Sequence, residues 1–184
     1  MEVDMWRRTV PCAAVALVFA VGGSSACAQT NYKSQLGSVS QQVMNTRVDI
    51  RYRRPVARGR ELFGALVPWG RIWTPSADSA AVLTVSDPIT VNGERLPAGS
   101  YGVWMIPDSA SWTVIFSGKP AAFHLRYPDG QDVLRVQAKP AKGDYVETLL
   151  FDFPMVDADS ARLELHWGNT VVPLTLRTGA GDRQ

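Results

Sequence analysis

The chain has 184 residues, of which 46% are hydrophobic and 20% are charged. This composition is typical of one folded domain plus a processed segment, and it excludes a wholly disordered chain. The formal net charge of +2 is by itself too small to indicate nucleic acid or an acidic membrane as a partner.

The N-terminal segment has the three parts of a secretory signal peptide. Arg7 and Arg8 precede an apolar run at 13–21, and small residues then lead to an A-x-A site at 26–28. The nine apolar residues rise only ~14 Å as a helix, far less than the ~30 Å hydrocarbon core of a bilayer. We therefore expect residues 1–28 to be removed. The mature protein is then exported, periplasmic or extracellular, with no transmembrane span.

Cys27 leaves a second route of processing open. The sequence SSAC at 24–27 also resembles a lipobox, in which case Cys27 becomes an acylated N-terminus that anchors the protein in the envelope. Cys12, the other cysteine, lies in the same segment. Cleavage after Ala28 leaves residues 29–184 without cysteine. That excludes disulfides, thiolate nucleophiles and thiolate metal sites from the mature domain.

The mature chain divides into a lead-in, a β domain and a tail. Residues 29–42 are polar and rich in Ser and Gln, which is typical of a linker. The domain spans 43–177, and 178–184 is expected to be a flexible tail. Apolar and charged residues alternate over 47–53, which predicts a strand with one buried face. Further strands are predicted over 81–85, 89–91, 94–96, 100–106, 111–116, 132–138, 145–153, 161–167 and 171–176.

Turn signals separate these strands. Asn92-Gly93 is the strongest hairpin signal, and turns are also predicted at 142–144 and 168–169. Pro173 lacks an amide donor and predicts an edge position for the last strand. About ten short strands at this spacing predict an all-β fold, a single antiparallel β-sandwich. A jelly-roll-like arrangement and a partly closed barrel are the alternatives.

Three runs of sequence resemble a known family. They are RRPVARGRELFGALVPWGRIW at 53–73, ITVNGERLPAGSYGVWMIP at 89–107 and SWTVIF at 111–116. Together they are similar to DUF2911, a bacterial family of unknown function, and the similarity extends over residues 37–176. The resemblance implies an exported, predominantly β domain with no established reaction.

The chain departs from the usual pattern of that family. Arg53 stands in place of a Ser, and Trp69 in place of a Tyr. After Trp73, the family's Arg, Gly, Asn and Glu are replaced. In this chain the four residues are Thr74, Ser76, Asp78 and Ser79. Any activity that depends on the family's Arg and Glu is therefore either lost or altered in this chain.

The same region supplies the candidate ligand-binding residues, which are Arg54, Arg58, Arg60, Trp69, Trp73 and Asp78. Clustered guanidinium groups bind carboxylates or phosphates, and an exposed Trp ring stacks on the apolar face of a sugar. The alternatives are a solvated basic face and tryptophans that belong to the core. Trp112 and Trp167 continue the apolar phase of their strands and are predicted to be buried.

No motif assigns a catalytic residue, a metal or a cofactor. The histidines are His124 and His166, and the sequence contains no G-x-S-x-G elbow, H-E-x-x-H motif or P-loop. We predict a non-catalytic exported protein that binds a glycan, an anionic small molecule or a protein partner, and not nucleic acid. One alternative is a hydrolase of envelope or extracellular polymers that uses carboxylates such as Asp78 or Glu147. The other is a structural lipoprotein acylated at Cys27.

Overall fold

Alternating apolar and polar side chains build ten strands in a computed structural model, which describes residues 33–120 and 122–179. The strands are β1 (Gln35–Val43), β2 (Thr46–Arg54), β3 (Ala81–Val85), β4 (Ile89–Val91), β5 (Glu94–Leu96), β6 (Gly99–Ile106), β7 (Trp112–Ser117), β8 (Asp132–Ala138), β9 (Ala141–Val156) and β10 (Ser160–Arg177). The predicted signal peptide with Cys27, and residues 180–184 of the predicted tail, lie outside the described residues.

The strands form two antiparallel sheets, which confirms the predicted sandwich. The six-stranded sheet has the order β1-β2-β3-β6-β7-β8, and the four-stranded sheet has the order β5-β4-β10-β9. The larger sheet is a meander interrupted by the β4–β5 hairpin, which crosses to the other sheet, so the chain order is not that of a jelly roll. Among the described residues the ladders run within each sheet, and the isolated bridge between Val56 and Thr148 is too short to close a barrel. The barrel alternative is wrong.

The inward faces of the two sheets form one hydrophobic core. In β2, Val48, Ile50 and Tyr52 are buried while the residues between them face outward. Trp112 and Trp167 are 1% and 2% exposed, which confirms their predicted place in the core. Tyr52 also connects the sheets, since its hydroxyl accepts a hydrogen bond from the Phe151 amide of β9 at 2.8 Å.

Strand β1 lies where the sequence predicts a linker. It pairs with β2 along its whole length, from Gln35 opposite Arg54 to Val43 opposite Thr46. As an edge strand it exposes a row of Ser and Gln side chains, so its composition is polar although its backbone is regular. The predicted lead-in at 29–42 is therefore wrong from Gln35 onward, because a polar edge strand lacks the apolar alternation that marks a half-buried one.

Strands β9 and β10 form one long hairpin where shorter strands are predicted. The predicted turns at 142–144 and 168–169 are parts of the two strands, and register shifts on both sides of Gly168 absorb the irregularity. Pro173 lies in the interior strand β10, so the predicted edge position is wrong. It is tolerated because it falls between the pairing with β9, which ends at Val171, and the pairing with β4, which begins at Leu176.

A second, smaller cluster covers the outer face of the six-stranded sheet. Ala80, Trp104 and Ile115 are buried there, with Tyr127 packed edge-on against Trp104 at 5.3 Å between ring centroids. The connection from β7 to β8 supplies Tyr127 and lies over this face. Both faces of the sheet are therefore buried around β6 and β7, and the connection places His124 and Leu125 beside the region described next.

Candidate functional site

The connection between β2 and β3 is fixed to strand β9 by its backbone. The Leu149 amide donates to Pro55 O at 3.0 Å, and the Ala57 amide donates to Glu147 O at 2.8 Å. The Arg58 amide then donates to the Glu147 carboxylate at 2.6 Å. These hydrogen bonds carry the end of β2 across to the second sheet. Because Arg58 has a φ of 53°, the chain turns sharply immediately after them.

The side chains of Arg58 and Arg60 are held in different ways. Arg60 donates through Nε to Ala57 O at 2.8 Å and through Nη2 to Val56 O at 2.7 Å. These two carbonyl contacts fix the guanidinium plane and leave its other N–H groups available. Arg58 is exposed, and its side chain has no ion pair with any described residue. Both cations can therefore meet an external anion.

A cluster of aromatic rings lies behind these arginines. Phe63 packs edge-on against Trp73, Trp112 and Trp167, with centroid distances of 6.0, 4.8 and 6.1 Å. Trp73 stacks on Trp167 at 6.1 Å with an angle of 11° between the rings. Since Trp112 and Trp167 belong to the core, Trp73 is fixed by rings that are themselves immobilised.

These groups line a pocket of about 540 Å³, which is within the range of small-molecule sites. Its basic and titratable lining residues are Lys33, Arg58, Arg60 and His124. Trp73, Trp167, Leu66 and Leu125 are among its apolar walls, and Ser34 and Ser76 supply hydroxyl groups. Among the described residues that line this basic pocket, none is Asp or Glu. The lining is therefore complementary to a ligand that has one anionic group and an apolar face.

The structure brings three of the six predicted site residues to the basic pocket, namely Arg58, Arg60 and Trp73. Arg54 instead donates from Nε to Leu149 O at 3.2 Å and helps to join the sheets. Trp69 is 47% exposed, and with Arg60 it lines a neighbouring depression. Asp78, in a backbone conformation with a φ of 66°, is half-buried and does not line the basic pocket.

The lining residues that sequence reasoning did not predict include Lys33, His124, Leu125 and Trp167. Trp167 is correctly predicted as core, but its strand gives no sign that it also forms a pocket wall. His124 and Leu125 follow β7 in a connection without periodicity. Lys33 lies in the polar segment that is predicted to be a linker. The pocket assembles from distant stretches of chain, so no local signal in the sequence could identify them together.

The residues that depart from the family pattern have structural partners. The Thr74 hydroxyl donates to Val103 O at 2.7 Å and accepts from the Ala81 amide at 3.1 Å. The Ser76 hydroxyl accepts from the Arg53 amide at 2.8 Å. Both side chains are buried and serve to fix the connection between β2 and β3. They leave no cation or carboxylate at these two positions.

Glu147 holds the connection between β2 and β3 through both its carboxylate and its backbone carbonyl. Its carboxylate accepts hydrogen bonds from the Tyr145 hydroxyl and from the Arg58 amide, which hold the pKa of Glu147 below its ordinary value. Its backbone carbonyl accepts from Ala57 and from Trp167 Nε1, the latter at 3.3 Å. Glu147 is outside the pocket lining. These contacts indicate that Glu147 positions the connection between β2 and β3.

The described residues offer no cluster of three or more His, Cys, Asp or Glu side chains that could hold a metal ion. In the same part of the chain we find no helix with the length and hydrophobicity needed to cross a membrane.

Fold and site together define an all-β sandwich with a basic, tryptophan-walled pocket. The profile of the family described as "Protein of unknown function (DUF2911)" matches residues 34–176. The chain belongs to this family, which confirms the resemblance seen in the sequence. No curated protein and no solved structure gives a significant match.

Proposed function

We propose that the protein is an exported, non-catalytic binding protein that holds an anionic ligand, such as an acidic sugar, in the basic pocket. The observation that carries this proposal is the charge of the lining: Lys33, Arg58 and Arg60 face a shared space whose described lining contains no carboxylate. The Glu147 carboxylate interacts with Arg58 and Arg60 from outside the lining, and a ligand anion would add a counter-charge inside the pocket.

The aromatic wall supports a sugar as the apolar part of the ligand. A pyranose ring has one apolar face, which packs on an indole ring, and its acidic substituent then lies within reach of a guanidinium group. Trp73 is held by Phe63 and Trp167, and Arg60 is held by two backbone carbonyls. Side chains that are already ordered lose little entropy when a ligand binds.

The hydrolase alternative receives less support from the geometry. A glycosidase needs two carboxyl groups ~5–9.5 Å apart across the bond that is cleaved. Asp78 and Glu147 both lie outside the lining of the basic pocket, and Glu147 is engaged by Tyr145 and Arg58. A binding function needs neither carboxylate.

The test compares glucuronate with glucose, which differ at the group that the arginines would bind. Glucuronate should raise the thermal unfolding temperature by about 5–10 °C at a concentration ~100 times its Kd, and glucose should not. Added salt should reduce the effect. Inorganic phosphate in the same assay distinguishes a sugar site from a general anion site.

Arg58→Gln should weaken glucuronate binding about tenfold, because a charge-assisted hydrogen bond is lost. Arg51→Gln is the matched control, since Arg51 is an exposed arginine on the outward face of β2 and outside the pocket lining. Equal binding of glucose and glucuronate, or equal loss of affinity in both variants, would refute the proposal.

A further inference from the structure

Five of the eleven exposed large hydrophobic side chains of the described chain surround the basic pocket. We call them the apolar rim: Leu66, Trp69, Ile72, Phe123 and Leu125, with exposed fractions of 43, 47, 36, 51 and 76%. Leu66 and Leu125 line the basic pocket itself. Leu125 and Ile72 line an adjoining pocket with His124, whose ring lies 4.6 Å from that of Phe123. Apolar side chains exposed this close together indicate an interaction surface.

Basic residues lie between the members of the apolar rim. Arg71 precedes Ile72 and Arg126 follows Leu125, and both arginines are exposed. They add to the exposed Lys33, Arg58 and Arg60 of the pocket. The stretch from 118 to 128, which carries Phe123 and Leu125, contains Lys119 and Arg126 and no acid. Three acids also lie at or next to the rim: Glu61 O accepts from the Leu66 amide, Asp78 O accepts from the His124 amide, and Asp108 lines a pocket with Trp69. The six basic residues named above outnumber them, so the local charge is positive, although the net charge of the whole chain is only +2.

The basic residues between the apolar side chains favour an anionic bilayer as the occupant of this surface, and the lipobox route of processing would add a tether to it. Lys33 and Ser34, at the beginning of the described chain, line the basic pocket. Cys27 precedes Lys33 by six residues, which span at most ~20 Å when fully extended. If Cys27 is acylated, a tether of this length holds the apolar rim close to the bilayer that carries the lipid.

We infer that the apolar rim docks on the surface of a bilayer that contains anionic phospholipid. The rim side chains enter the interfacial region, and the arginines between them remain at the level of the phosphate groups. This inference goes beyond the proposed function, because it concerns the surface around the pocket and holds whichever anion occupies the pocket.

The experiment uses protein that is exported from a precursor with Cys27→Ala, so that no acyl chain contributes to binding. Flotation with phosphatidylglycerol vesicles and with phosphatidylcholine vesicles measures the partition coefficient. We expect binding to the anionic vesicles that weakens as salt increases, and little binding to the zwitterionic ones. The fluorescence of Trp69 contributes a shift to shorter wavelength when the indole leaves water.

The double variant Ile72→Ser, Phe123→Ser should lower the partition coefficient at least tenfold, because each large apolar side chain contributes about that factor when it is buried. Met155→Ser is the control, since Met155 is 59% exposed and lies in β9 outside both pockets of the rim. All variants should retain the unfolding temperature of the parent protein.

Three outcomes would overturn the inference: no binding to anionic vesicles, equal binding of the double variant and the parent, or equal loss in the Met155→Ser control. If a soluble acidic polypeptide binds the apolar rim and the vesicles do not, the rim is the docking surface of a protein partner and the inference is also overturned. The glucuronate assay remains independent. The double variant should still bind the sugar acid, because Ile72 and Phe123 lie outside the lining of the basic pocket. Failure of one proposal is therefore distinguishable from failure of the other.

Discussion

Replacement of Tyr52 by Phe tests how the two sheets are joined. The Tyr52 side chain is 5% exposed, and its hydroxyl accepts the Phe151 amide at 2.8 Å. The Phe ring would keep the edge contact with the Phe151 ring, whose centroid lies 4.9 Å away. The substitution therefore removes one hydrogen bond and leaves a buried amide without a partner.

A buried donor that loses its partner costs about 1–3 kcal/mol. With a midpoint of about 2 kcal/mol, the ratio of folded to unfolded protein falls about 30-fold. For a domain of this size the unfolding temperature should decrease by about 4–8 °C. Urea titration followed by tryptophan fluorescence measures the free energy of unfolding, and an unchanged m value would show that only stability has changed.

Tyr101→Phe is the matched control. The Tyr101 hydroxyl donates to Pro97 O at 2.8 Å, and Pro97 is exposed, so water can replace the lost donor. We expect a cost of about 0.5–1.5 kcal/mol for this variant. If Tyr52→Phe costs no more than Tyr101→Phe, the amide of Phe151 is not isolated from solvent, and the argument that this bond ties the sheets together fails.

Two further predictions concern a glycine and a tyrosine. Gly168 has a φ of 59°, and an added Cβ would lie 2.8 Å from Leu62 Cδ1. Gly168→Ala should cost about 1–3 kcal/mol more than Gly130→Ala, whose φ is 72° with no atom within 4 Å; equal losses in urea titration would contradict this. Burial and a hydrogen bond to Asp132 raise the pKa of Tyr127 to about 12. The pKa of Tyr127 in the folded protein lies above its ordinary value of 10.0. The protonated Tyr127 therefore contributes its full stability below pH 10, and this contribution is lost as the pH rises through about 12. Tyr127→Phe should abolish that part of the alkaline loss, and alkaline unfolding curves identical to those of the parent protein would contradict the assignment.

Most strands could be predicted from the sequence, because the alternation of apolar and polar residues that marks a strand is a local pattern. Side chains of a strand alternate between two faces, so Val48, Ile50 and Tyr52 mark a buried face without any knowledge of what covers it. The Asn92-Gly93 hairpin is equally local, since the turn requires positive φ at adjacent residues. The burial of Trp112 and Trp167 was predicted from the same alternation.

The errors arose where pairing, rather than side-chain character, decides the structure. β1 is polar because it lies at an edge, and its strand conformation comes from hydrogen bonds to β2. The long β9–β10 hairpin continues through Gly168 because bulges absorb residues that in isolation favour a turn. Pro173 is tolerated inside the sheet because the partners of β10 change there.

Only part of the candidate site could be predicted from the sequence, for the same reason. The sequence by itself determined the antiparallel β class, the buried tryptophans and the basic segment with Arg58, Arg60 and Trp73; the export signal stays a prediction. Only the tertiary structure decided that Lys33, His124 and Trp167 join them in one pocket and that Arg54 and Asp78 do not. Strand character depends on neighbours a few residues apart, whereas a pocket depends on which distant connections the paired sheets bring together.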